Sequence, residues 1–235
     1  LKLGFQPFDF AKAGVYGDPA WVAKAASVSY PPLEFPPELP PLPVNDTFER
    51  QTPGKPPRGV ELHVENKGDS IVVTEEAAAG GKRSLKITDA PGLKNAWNPH
   101  VVWKANLSKG IVRNGFDLRL EKSSVVDFEW RDWSQSEYLA GARFGIRDGV
   151  LSLGDGTKVE LPLGQWVRFE ISGGVGEAAT GKWTLSVKMP DQPARKFKDL
   201  AYGKPGFKKL TWVGFTSNAT EKTAFFVDNF TLSAR

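Results

Sequence analysis

The chain has 235 residues, with 31 basic and 27 acidic side chains interspersed along it and a net charge of +4. That balance favours acidic partners slightly and lacks the concentrated positive footprint of a nucleic-acid binder. Without cysteine and with only two histidines, the chain has no thiol chemistry and a poor ligand supply for zinc or copper.

Hydrophobic residues make up 40% of the chain, enough to fill a core, and no apolar run approaches the roughly 20 residues of a membrane span. Eight Trp and 15 Phe against one Met point to an aromatic-built β core rather than a helical bundle.

Residues 1–30 read as an extension distinct from the rest. Phe5, Phe8 and Phe10 stand in a loop, and Asp18-Pro19-Ala20-Trp21 signals a short helix running to about Ala26. Asp18 is placed as its N-cap and Pro19 as its first residue. The start at Leu1 is read as that of a fragment or processed product. Residues 31–44 follow as a proline-rich strap holding Pro31, Pro32, Pro36, Pro37, Pro40, Pro41 and Pro43. Such a run prefers extended polyproline II. Leu33, Phe35, Leu39 and Leu42 predict that it lies against the neighbouring domain rather than free.

From Asn45 to Arg235 the signals are strands and turns. β character falls at 70–75, 83–88, 100–104, 114–120, 125–131, 142–147, 165–172, 183–189, 210–216 and 224–232. Gly80-Gly81, Asp148-Gly149, Gly173-Gly174 and Pro205-Gly206 punctuate them, and Asp148-Gly149 reads as a two-residue hairpin turn. Many short strands without helical periods between them predict an all-β, antiparallel β-sandwich or barrel.

Several stretches carry a family resemblance: Asp46-Thr47-Phe48-Glu49, Gly81-Lys82-Arg83-Ser84-Leu85-Lys86, Glu129-Trp130-Arg131-Asp132-Trp133, Leu163-Gly164-Gln165-Trp166-Val167 and Val227-Asp228-Asn229-Phe230. They resemble the concanavalin-A-like or laminin-G-like jelly-roll domains of secreted bacterial carbohydrate-active proteins. Leu3-Gly4-Phe5-Gln6-Pro7-Phe8-Asp9 and Gly14-Val15-Tyr16-Gly17-Asp18-Pro19 resemble the tail that follows a right-handed parallel β-helix. The resemblance implies a jelly roll, a secreted or cell-surface bacterial location, a polysaccharide or oligosaccharide partner, and contact with a neighbouring domain of the parent protein. This fold hosts binding modules, glycosidases and lyases alike, so the resemblance alone selects no activity.

Three constellations carry chemistry. Asp46 and Glu49 open the first strand region and Asp228 lies in the last. Carboxylates suit a hard cation, and in related jelly rolls similar terminal acids hold a structural calcium. The second is Val125–Trp133, where alternation turns Val126, Phe128 and Trp130 inward and Asp127, Glu129, Arg131 and Trp133 outward. Residues 114–121 and 142–147 repeat that alternation. Side by side, the three strands would gather Arg119, Glu129, Arg131 and Arg143 on one polar face.

The third is a set of aromatics. Trp97 in a loop and Trp133 at a strand end could give sugar rings a flat apolar platform, while Trp103, Trp130, Trp166, Trp183 and Trp212 read as core. The reading is therefore a non-catalytic carbohydrate-binding face built on Trp97, Glu129, Arg131, Trp133 and Arg143. A glycosidase would use Asp127 and Glu129. A lyase would need a His or Tyr base beside Arg, from His100, Tyr138, Arg131 and Arg143. A structural module packed on its neighbour is the third possibility.

Overall fold

A computed structural model describes residue 14, residues 16–29 and residues 40–235. It divides into two compact units, Leu1–Glu38 and Leu39–Arg235. In the first, α1 (Pro19–Ala26) starts where the sequence signals it, with the Asp18 carboxylate accepting from the Ala20 N–H at 2.7 Å. Phe5, Phe8, Phe10, the stretch 3–9 that resembles a post-β-helix tail, and Leu33, Phe35 and Leu39 of the strap lie outside the described residues. Leu42, the one strap leucine that is described, is 42% exposed. Among the described residues no helix is long and apolar enough to cross a membrane.

The second unit is an antiparallel β-sandwich jelly roll of fifteen strands in two sheets. One sheet runs β13 (Arg195–Ala201), β12 (Lys182–Lys188), β11 (Trp166–Val175), β6 (Gly110–Leu120), β15 (Thr223–Ala234), β4 (Ser84–Asp89), β3 (Ser70–Thr74), with β1 (Val44–Asp46) also on β15. The other runs β10 (Lys158–Glu160), β9 (Val150–Ser152), β8 (Leu139–Arg147), β7 (Val125–Asp132), β14 (Leu210–Ser217), β5 (His100–Leu107), β2 (Glu61–His63). Asp148 and Gly149, both at positive φ, turn β8 into β9 as the hairpin reading requires.

Alternation builds the core. Val126, Phe128 and Trp130 of β7 are fully buried, Phe128 meets Phe116 of the other sheet at 5.1 Å, and Phe144 of β8 meets Phe169 at 5.4 Å. Phe116 stacks on Phe169 at 5.3 Å, and Trp103 lies flat on Phe230 at 3.8 Å. Full burial of one such side chain stabilises the fold by about 1.5–3 kcal/mol.

The structure corrects three sequence-based expectations. Arg119 does not join Glu129 and Arg131, because the connection at 121–124 carries the chain from β6 in one sheet to β7 in the other. Trp166 sits on the outer side of β11, whose inward residues are Val167, Phe169 and Ile171. Trp212 also faces outward, because a register irregularity between Leu210 and Trp212 shifts the inward positions to Val213 and Phe215.

Candidate functional site

Cross-strand register arranges the outer face of the second sheet into three rows. His63 pairs with His100, His100 with Thr216, and Thr216 with Asp127. The next row is Glu61, Val102, Gly214, Glu129 and Arg143, and the last is Lys104, Trp212 and Arg131. A groove of about 710 Å³ opens over the β2–β5–β14–β7 part of this face. Its lining includes Glu61, His63, Trp97, His100, Lys104, Arg131, Trp133, Tyr138 and Trp212.

Arg131 is the fixed point of the groove. Its guanidinium lies over the Trp212 ring at 4.1 Å and the Tyr138 ring at 4.5 Å, and its Nε donates to Glu129 Oε2 at 2.6 Å. Its side chain is 20% exposed and that of Glu129 14%, so the pair is held in low dielectric between aromatic faces. Gly214 lies beneath this stack, where a Cβ would collide with the Val101 carbonyl oxygen and stand 3.1 Å from the Trp212 ring.

The aromatic platforms are Trp97 and Trp133, 55% and 49% exposed. Trp133 packs on Tyr138 at 4.8 Å, and its N–H donates to the Thr211 hydroxyl at 2.8 Å. The Trp97 loop is fastened by Glu65, which accepts the N–H groups of Lys94 and Asn95 at 2.7 and 2.8 Å and the Asn98 amide at 3.1 Å. Those backbone donors hold its carboxyl down to about 2.

From Glu65 the hydrogen bonds pass to His100. A carboxylate only accepts, so the Asn98 nitrogen must face Glu65 and its Oδ1 must face His100 Nδ1, 2.9 Å away. Nδ1 therefore carries the proton and Nε2 the lone pair. Burial, with the neighbouring His63 and Arg131, pushes His100 down to about 4, so it is neutral at physiological pH. His63 stacks on it at 4.0 Å and meets Glu61 at 2.9 Å. Lys104 closes the cluster on Glu61 at 2.8 Å and holds that carboxyl below its usual range.

The groove thus gathers Trp97, Arg131 and Trp133, with Glu129 clamping Arg131. Arg143 lies on β8, opposite Glu129, and lines two smaller depressions of the same face. Asp127 is bound by Arg147 at 2.7 Å and Asn218 at 2.7 Å, so Asp127 and Glu129, which line one of these depressions, are each engaged in an ion pair. Sequence reasoning missed Glu61, His63, Lys104 and Trp212. The one available signal was the polar His-Glu pairing of Glu61-Leu62-His63, too short to read as a strand.

The three acids implied for calcium are committed elsewhere. Asp228, fully buried, accepts from the N–H groups of Ala79, Gly80 and Asn229. Glu49 accepts from Lys82 and Arg83 N–H, and Asp46 from Phe48 N–H and the Gln51 amide. The three carboxylates are thus tied to separate backbone segments and do not come together as the single oxygen set that calcium takes. Among the described residues no group of three or more His, Asp or Glu side chains is arranged to hold a metal.

No protein-family model matches the chain, and no curated protein matches it in sequence. Solved structures do match it in fold. A cellulose-induced protein, Cip1, superposes with a TM-score of 0.55 at 16% identity, covering 82% of this chain and 97% of its own. The PL-14 alginate lyase of Aplysia kurodai superposes with a TM-score of 0.52 at 10% identity, covering 71% and 87%. At these identities the likeness establishes the sandwich, one that carbohydrate-active proteins also use.

Proposed function

We propose that the groove over β2, β5, β14 and β7 binds a polysaccharide chain without cleaving it, as the accessory module of a secreted carbohydrate-processing protein. The observation that carries this reading is the pairing of two half-exposed tryptophans with a rigid, doubly stacked arginine in one open groove. Trp97 and Trp133 offer flat apolar faces to pyranose C–H groups. Arg131, Lys104 and the His100 lone pair supply donors and an acceptor for ring hydroxyls. A groove open along a sheet face suits an internal stretch of chain, and alternation of polar and aromatic groups sets register along it.

The test is binding to a glycan array by the wild type and by Trp97→Ala/Trp133→Ala. Retention that the double variant loses, with no change in glycan chain length, supports the reading. Equal retention by both overturns it.

A specific observation favours a second reading, a polysaccharide lyase. His100, Tyr138 and Arg131 line one groove, and His100 is neutral with its Nε2 lone pair free of Asn98. In that reading Arg131 neutralises a uronate carboxylate while a His100 or Tyr138 base takes the proton on the adjacent carbon. The electron pair forms a C=C bond as the glycosidic C–O bond breaks, and the leaving oxygen takes a proton. Release of an unsaturated product from a uronan would select it.

A further inference from the structure

The outer face of the other sheet holds a second depression, of about 500 Å³, over β6, β11, β12 and β13. Register fixes what lies in it. Arg113 on β6 stands opposite Ser172 on β11, and Ser172 opposite Thr184 on β12. One row along, Glu170 stands opposite Ser186, and Ser186 opposite Lys196 on β13. A floor of hydroxyls, broken by the exposed Glu170 carboxylate, therefore runs between Arg113 on β6 and the basic edge on β13, three strand spacings or roughly 14 Å apart. It continues past β6 to Thr231 and Ser233 of β15.

Four of the charged residues lining the depression are basic, Arg113, Arg168, Lys196 and Lys198, and one is acidic, Glu170. Arg168 is engaged by Asp117 at 3.5 Å and by the Asn229 carbonyl at 3.2 Å. Arg113, Lys196 and Lys198 are exposed and, among the described residues, have no acidic partner.

We infer that this depression is a second glycan site, independent of the tryptophan groove, that takes an acidic polysaccharide of the polyuronate class. Ring hydroxyls of such a chain meet Ser172, Thr184 and Ser186, and its carboxylates, one per ring, reach Arg113 and the basic edge on β13. The Arg113 guanidinium offers a carboxylate a planar fork of donors. No aromatic ring lines the depression, so it lacks the stacking platforms that single-stranded nucleic acids require. With sites on opposite faces, one molecule can hold two chains at once, and binding of both raises overall avidity.

The test uses polygalacturonate oligomers as probe, titrated into Trp97→Ala/Trp133→Ala so that the groove is silent. Binding should persist in that background and weaken steeply with added salt. Adding Arg113→Gln, Lys196→Gln and Lys198→Gln should lower affinity at least about tenfold, with the melting temperature unchanged because all three side chains are exposed. Unchanged affinity in the charge variants overturns the proposal, as does absence of binding by the groove-silenced protein. Competition by duplex DNA or dextran sulfate equal to that of polygalacturonate also overturns it, by showing an indiscriminate basic surface.

Discussion

The two outer faces of the sandwich are both polar, but most charges in the groove are held while three of those in the opposite depression are not. In the groove Arg131 is held by Glu129 and two rings, Lys104 by Glu61 and Glu65 by backbone N–H groups, while Arg143 beside it is exposed. On the opposite face Arg113, Lys196 and Lys198 stand exposed around hydroxyls. A held charge has already lost its conformational freedom and orients a ligand without further ordering. An exposed one attracts at a distance, is screened by salt, and orders only on contact. The first arrangement suits recognition of a sugar's shape and the second suits recognition of a polymer's charge.

Held charges should be expensive to remove. The largest effect is expected at Asp228, where alanine would strand three backbone N–H groups inside the protein and destabilise it by about 3 kcal/mol or more. Chelator should leave the melting temperature of the wild type unchanged, since these donors do a cation's work. A lower melting temperature in chelator would show that an ion does bind there. Arg131→Ala comes next, at about 2 kcal/mol, because it leaves the largely buried Glu129 without its partner and removes two stacking contacts. Urea denaturation measures both. By contrast Lys198→Ala should fall within about 0.5 kcal/mol of the wild type, and a larger loss would break the distinction between the faces.

A smaller effect concerns pH. Glu65 has a folded value near 2, below the ordinary carboxylate value of 4.5, so its contribution is complete above 4.5 and lost as pH falls towards 2. His100, depressed from 6.5 to about 4, makes the unfolded chain bind a proton that the folded chain refuses, so stability falls between 6.5 and 4. Both act in the same direction, and the protein should lose melting temperature steadily on acidification from pH 6.5. Glu65→Gln should flatten the lower part of that curve. It should also loosen the His100 tautomer, which the ring ¹⁵N shifts report independently of stability.

Much of the fold was legible in the sequence, because alternation states which side of a strand is buried. All ten strands read from it occur, and Val126, Phe128 and Trp130 are core as read. Alternation does not state which sheet a strand enters, so Arg119 was placed with the wrong neighbours. Nor does it register a bulge, which is why Trp212 read as core and proved to be the floor beneath Arg131. The edge strand β13, Arg-Lys-Phe-Lys-Asp-Leu-Ala, has the charges that guard a sheet edge, and these hide its β character. Within the groove, Trp97, Arg131 and Trp133 were readable because a loop or strand-end aromatic beside arginine is unusual. Glu61 and His63 were not, since a three-residue strand carries too little pattern.

The most direct test of the account compares wild type with Trp97→Ala/Trp133→Ala on uncharged polysaccharides, by titration at low and high salt. If the groove is the glycan site, the wild type binds at least one of them with an affinity that salt barely alters. The double variant should lose at least about tenfold in affinity, while its melting temperature stays within a few degrees. Equal binding by the two proteins would contradict the assignment of the groove, as would an absence of binding across the whole panel.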